Sequence, residues 1–202
     1  MHTNNPYAQG GWYNPANPLA VGQLEQSHAP HPPTFGALPS PTMSPPSTLE
    51  FNFTSFSPDI FNCIVQGPQD LQYFSITTSN AYPRVTTIVK PGGALATIQW
   101  HQHPILEIKG LVSYQPTSHW IPLSADRSYR TMNVHGRVLT WVPQINSIYL
   151  YSGGPAPAEQ YGRIVRSSNV VTLEITNQAI QAGMLEPATI ATFLLQCGVH
   201  ID

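Results

Sequence analysis

The chain is poor in charge. Lys, Arg, Asp and Glu make up 9% of its 202 residues, against about 25% in ordinary soluble domains. The formal net charge of −2 leaves no global field to draw it to nucleic acid or to an anionic membrane. Its two cysteines, Cys63 and Cys197, are too few for a disulfide framework. Two states stay open for them: buried free thiols, which pack as small hydrophobes, or a single bridge. No apolar run approaches the roughly 20 residues that a membrane-spanning helix needs. The opening residues, MHTNNPYAQGGWYNP, lack the basic and apolar regions of a secretory signal. These absences predict an intracellular, cytoplasmic protein that does not cross a membrane and has no nucleic-acid partner.

Apolar residues nevertheless account for 41% of the chain, enough for a core, but they are unevenly placed. Residues 1–48 hold about half of the 21 prolines and one charged residue, Glu25. A segment of that Pro/Asn/Ser texture cannot bury enough surface to offset its ordering entropy, so a disordered tail is expected there. From residue 49 to residue 202 the text changes to short β-rich runs divided by Gly, Pro, Ser and Asn. RVTTIVK and ALATIQWH flank Pro91-Gly92-Gly93 as a hairpin. Ala94, Ala96, Ile98 and Trp100 share one face of the second run, and Leu95, Thr97, Gln99 and His101 the other. Further strands are expected at 49–53, 61–65, 71–78, 105–114, 119–123, 128–134, 137–142, 148–151, 160–166 and 170–176, with His135-Gly136 as a hairpin tip.

The last stretch breaks the pattern. After Glu186 the run PATIATFLLQC carries no charge, starts on an Xaa-Pro and stops at Gly198. It predicts a buried helix over Pro187–Cys197, following a short helical turn at Asn177–Ala182. Strands without intervening helices, closed by one apolar helix, predict a mainly β fold: an antiparallel β-barrel enclosing that helix.

Chemistry-bearing motifs are scarce. His101 and His103 alternate on the extension of a strand, which would aim both imidazoles to one side, and His119 would have to come from elsewhere to join them. That set makes a metal protein or a hydrolase the alternative reading; the simpler one is an exposed polar strand end. No G-x-S-x-G elbow or phosphate-cradling loop occurs, so no cofactor is expected. All eight basic residues lie between Arg84 and Arg166, where only three acidic residues oppose them. Arg84, Lys90, Arg130 and Arg163 are the candidates for contacting an anion or a lipid headgroup, against the plainer reading of scattered solvated charge.

Taken together, RVTTIVKPGGALATIQWH, SYRTMNVHGRVLTWVP, IYLY, YGRIVR, VTLEIT and the apolar terminal helix resemble a family of unknown function widespread in mushroom-forming (basidiomycete) fungi. Trp100, Arg130, Gly136 and Trp141 occupy its pattern, which covers residues 49 to 199. Leu139-Thr140 departs from the aromatic residue usual before that tryptophan. More distantly the pattern is similar to the tubby C-terminal and LURP-one-like barrels. That resemblance implies a barrel closed around a hydrophobic C-terminal helix, and phosphoinositide or membrane binding in some members. No binding residue is carried over, because no lipid-binding motif aligns. The resulting expectation is a non-enzymatic binding or interaction domain whose partner is a protein or an anionic lipid.

Overall fold

The computed structural model describes residues 47–153 and 158–202; the tail expected over residues 1–48 falls almost wholly outside them. The strands are β1 (Thr48–Thr54), β2 (Cys63–Gln66), β3 (Gln72–Thr78), β4 (Arg84–Lys90), β5 (Gly93–Trp100), β6 (Ile105–Ile108), β7 (Val112–Pro116), β8 (Arg130–Val134), β9 (Arg137–Gln144), β10 (Ser147–Ser152), β11 (Gln160–Arg166) and β12 (Val171–Thr176). The helices are α1 (Thr117–Trp120), α2 (Asn177–Gln181) and α3 (Leu185–Gln196). All twelve strands form one sheet in the order β7-β6-β5-β4-β3-β2-β1-β12-β11-β10-β9-β8, and every pairing is antiparallel.

This order is a meander broken once. Consecutive strands pair throughout, except that β7 and β8 are the two edges while β1 and β12, the first and last strands, pair at the centre. The sheet is therefore not closed. The barrel expected from the spacing of the strands is corrected to an open, twelve-stranded sheet whose edges are linked only by the connection containing α1.

Alternation sets the two faces. Phe51 and Phe53 of β1 point inward beside Val171, Leu173 and Ile175 of β12, while Asn52 and Glu50 point outward. The expected face of β5 holds for Ala96 and Ile98, which are buried, and for Trp100, which packs on the core, but Ala94 is only partly buried. Leu95 is buried as well, because the β4–β5 register shifts between Ile88 and Val89. Close strand approach explains one glycine. A Cβ on Gly162 would lie 2.4 Å from the Glu174 carbonyl oxygen, so any larger residue would push β11 off β12. His135 and Gly136, with φ of 50° and 77°, make the tight β8–β9 turn that the sequence suggests.

Helix α3 is buried from Pro187 through Leu194 without interruption. A helix covered on every side by one sheet requires the sheet to bend around it. The contacts show both halves doing so. Phe193 meets Phe61 and Trp100 edge-on at 5.6 and 6.2 Å between ring centroids, and Leu195 lies beside Trp141 and Ile148 on the opposite side. The two threonines inside this apolar rod are satisfied within it: Thr189 Oγ1 donates to Leu185 O at 2.9 Å and Thr192 Oγ1 to Ala188 O at 2.7 Å. The helix begins two residues before the expected Pro187. Its proline sits at the third helical position, where the missing N–H is an orphan in any case. Glu186 in the first turn pairs with Lys90 at the end of β4, a carboxylate placed where the helix dipole favours it.

One buried polar chain ties the wall to the loop beneath the helix. Trp100 Nε1 donates to Thr86 Oγ1 at 2.7 Å, the Thr86 and Thr78 hydroxyls lie 2.7 Å apart, and Thr78 Oγ1 donates to Phe61 O at 2.8 Å. The indole can only donate and the carbonyl can only accept, so the Thr86 hydroxyl must donate to Thr78. Each member is thereby paired, which removes the cost of burying Thr86.

Burying Ile190, Phe193 and Leu194 contributes roughly 1.5–3 kcal/mol each. Leu194→Asp places an unpaired charge in that core. It is expected to abolish the cooperative thermal transition followed by circular dichroism; a variant that melts cooperatively at the wild-type midpoint would contradict the enclosure of α3.

Candidate functional site

Because the sheet is a meander, its connections alternate between two ends. Helix α3 starts at the end that carries the β4–β5, β6–β7 and β8–β9 turns and finishes at the end that carries the β5–β6 and β9–β10 turns and the α1 connection. The expected site residues sort onto these ends and onto the outer face.

Lys90, Lys109 and Arg137 belong to the starting end, Arg84, Arg127 and Arg130 to the finishing end, and Arg163 to the outer face. The cations do not converge on one concavity. Three of the four headgroup candidates already hold carboxylates. Lys90 pairs with Glu186. Arg163 grips Glu174 through Nε at 2.8 Å and through Nη2 at 2.9 Å. Arg130 takes Asp202 in a two-pronged contact, with Nη1 at 2.8 Å from Oδ1, and donates from the same nitrogen to Ile121 O at 2.9 Å. Arg84 stacks over Phe61, its guanidinium carbon 4.8 Å from the ring centre, a cation–π contact.

His101 and His103 are not on a strand. β5 stops at Trp100 and both lie in the bend before β6, so the alternation that would aim them to one side does not apply. His101 Nε2 is 3.4 Å from Gln99 Oε1, and His103 Nδ1 is 3.2 Å from the main-chain oxygen of Asp202. His119 sits on α1, where a strand was expected, because Pro116 and Pro122 bracket the segment and cannot donate to a ladder. Among the described residues, no three His, Cys, Asp or Glu side chains converge as a metal site. Cys63 and Cys197 are both free thiols. Burial, with the Asp59 charge adding to it, pushes the Cys63 thiol up to about 12, and burial raises Cys197 as well.

The structure offers a different site. Between the edge strands β7 and β8 lies a cleft of about 490 Å³. Gln115 of β7, His119 and Trp120 of α1, and Thr131, Asn133 and His135 from β8 and its turn supply its polar groups; none of its lining residues is Asp, Glu, Lys or Arg. Trp120 is only 4% exposed, and among the described residues its indole Nε1 has no hydrogen-bond partner. A buried N–H left unmade costs about 1–3 kcal/mol, but this nitrogen lies beneath the cleft surface rather than on it. A polar depression of about 540 Å³ at the finishing end mixes Asp59 with Arg166 and the Ser167-Ser168-Asn169 turn, but it holds no such unpartnered buried donor.

Edge chemistry sharpens the picture. Thr131 N donates to Pro122 O at 3.1 Å, so the main-chain groups of Thr131 point away from β9. By the two-residue alternation of a strand, those of Asn133 do too. The Val138 carbonyl opposite Asn133 is taken by Gly153 N at 2.7 Å, which agrees. The Asn133 side chain is already used: its Oδ1 accepts from Gly136 N at 3.0 Å. Its main-chain N–H and C=O face the cleft.

Sequence reasoning singled out His119, gave His135 only a hairpin tip and Asn133 no role. The only signal was indirect: Pro116 and Pro122 bracketing TSHWI. Nothing local says that two strands joined by this connection fail to pair.

No protein-family model matches the chain, and no curated protein is similar to it. A solved protein from Arabidopsis thaliana is similar at 9% identity over 72% of this chain and 92% of its own, with a TM-score of 0.36, a likeness too distant to bear on fold or function. No helix among the described residues is long and apolar enough to cross a membrane.

The Arg130–Asp202 contact generates a pH prediction. The Arg130 guanidinium holds the Asp202 carboxyl below the usual carboxylate range. A depressed folded-state value means stability that is present above the unfolded pKa of about 4 and is lost as pH falls through the folded one. Asp202 is nearly half exposed, so the contribution is about 0.2–1 kcal/mol. Asp202→Asn is expected to lower the melting temperature at pH 7 and to match wild type near pH 2; equal melting at both would show that the contact is idle.

Proposed function

We propose that this chain is a non-catalytic recognition domain that binds a protein partner at the cleft between β7 and β8. The observation that supports it is the open stretch of the β8 edge along that cleft, where the Asn133 main-chain groups have no strand to pair with among the described residues. The filled interior supports it too. α3 occupies the space where a carrier barrel would keep its ligand, so recognition falls to the surface. The cleft's imidazoles, His119 and His135, share its lining with no carboxylate and no cysteine or serine, which favours binding over nucleophilic chemistry. The metal or hydrolase alternative built on His101 and His103 draws no support from their place in an exposed bend.

A lipid-headgroup role for Arg84, Lys90, Arg130 and Arg163 is the weaker version of the same idea. A headgroup would have to displace Glu186, Asp202 or Glu174 from its partner, or pull Arg84 off Phe61. Each exchange trades one charge-assisted contact for another with little net gain.

A photo-crosslinking residue placed at Val138, which is exposed on the cleft wall, is expected to give a discrete protein adduct in cells expressing the full chain. The same residue at Ile145, fully exposed at the opposite end, serves as the control. Adducts at Ile145 alone, or co-sedimentation with phosphatidylserine vesicles that Arg84→Ala and Arg130→Ala abolish, would overturn the protein reading.

A further inference from the structure

The edge of β8 is already used as a docking strand over half its length. Leu123 forms an antiparallel bridge with Arg130, and Thr131 N donates to Pro122 O. The connection thus lays two of its own residues along the upper part of this edge, and Arg130 Nη1 fastens that segment through Ile121 O. Below Thr131 the coverage stops. There the Asn133 main-chain groups face the cleft, which Gln115, His119 and Trp120 line from the other side.

We infer that the lower half of the β8 edge takes an extended segment of the partner protein by β-strand addition, with the Asn133 main-chain N–H and C=O supplying the ladder. This deepens the recognition reading above and rests on it. Strand addition draws its affinity from main-chain pairing and its selectivity from alternate side chains. An unpaired edge is a standing template for such pairing, and here the protein's own Pro122–Leu123 segment demonstrates it.

Charge sets what the guest carries. The cleft lining is uncharged, so the guest's middle is uncharged. Lys109, in the turn before β7, and Arg137, at the start of β9, are both exposed at the cleft's lower end. Among the described residues neither is paired with a carboxylate. An acidic residue at the corresponding end of the guest complements them.

The test pans a displayed library of random linear peptides on the full-length protein. Enriched sequences are synthesised, and their affinities are measured by fluorescence anisotropy. Three results are expected. Enriched peptides share an Asp or Glu beside an uncharged stretch. Asn133→Pro, which removes the edge N–H, weakens binding by about tenfold or more while Ile145→Ala leaves it unchanged. Methylation of single peptide nitrogens weakens binding at every second position and spares those between, the period of a strand. Binding that is lost in Asn133→Pro but shows no alternation in the methylation scan would overturn strand addition while leaving the cleft as the recognition site. Failure to enrich any peptide, or binding indifferent to Asn133→Pro, would overturn both.

Discussion

A helix with no polar face cannot rest against a flat surface in water. α3 presents Ala188, Thr189, Ile190, Ala191, Thr192, Phe193 and Leu194 in succession, every one buried, so apolar cover must come from all directions. The inward face of a single sheet provides it by curving around the rod. The rest of the architecture answers that demand. Chain order supplies the curvature: β12 pairs with β1 at the middle of the sheet and passes through α2 directly into α3. The rod is thereby delivered to the concave face beside the strand that precedes it. The two outermost strands are then left to approach each other across the far side, where they remain unjoined. The cleft is a consequence of covering a helix with a sheet that stops short of closure.

The sparse charges follow the same logic. Lys90–Glu186 secures the start of the rod to β4, Arg130–Asp202 secures the end of the chain to β8, and Arg163–Glu174 crosses the outer face between β11 and β12. Exposed ion pairs of this kind add little stability, but the first two join elements distant in sequence. Asp126 plays a local version. Hydrogen bonds from the Ser124 and Ser128 hydroxyls and the Ser128 N–H hold its carboxyl down to about 2, which shapes the connection that carries Pro122 and Leu123 to the β8 edge. The site left open is neutral and hydrogen-bonding in character.

The elements were readable where they depend on local pattern. The apolar run after Glu186, the Pro91-Gly92-Gly93 and His135-Gly136 turns, and the alternation in VTLEIT place α3, two hairpins and the inward residues of β12 to within two or three residues. Closure was not readable, because whether β7 and β8 pair depends on how far twelve strands curl, a property no single segment holds. His101 and His103 do not alternate for a local reason: the strand ends at Trp100, one residue before alternation would have begun to matter. The open edge at Asn133 was not readable either, because a strand's missing neighbour is a fact about its surroundings. The basic residues looked like a cluster in sequence because a meander brings alternate turns to opposite ends, which scatters neighbours in the chain.

The enclosure of α3 is tested most directly by native-state hydrogen exchange. The amides of Ile190 to Leu194 are expected to exchange only through global unfolding, with opening free energies that match the stability from denaturant titration and fall with denaturant at the same slope. Exchange of those amides by a local opening insensitive to denaturant, at the rate of a surface helix, would contradict the account.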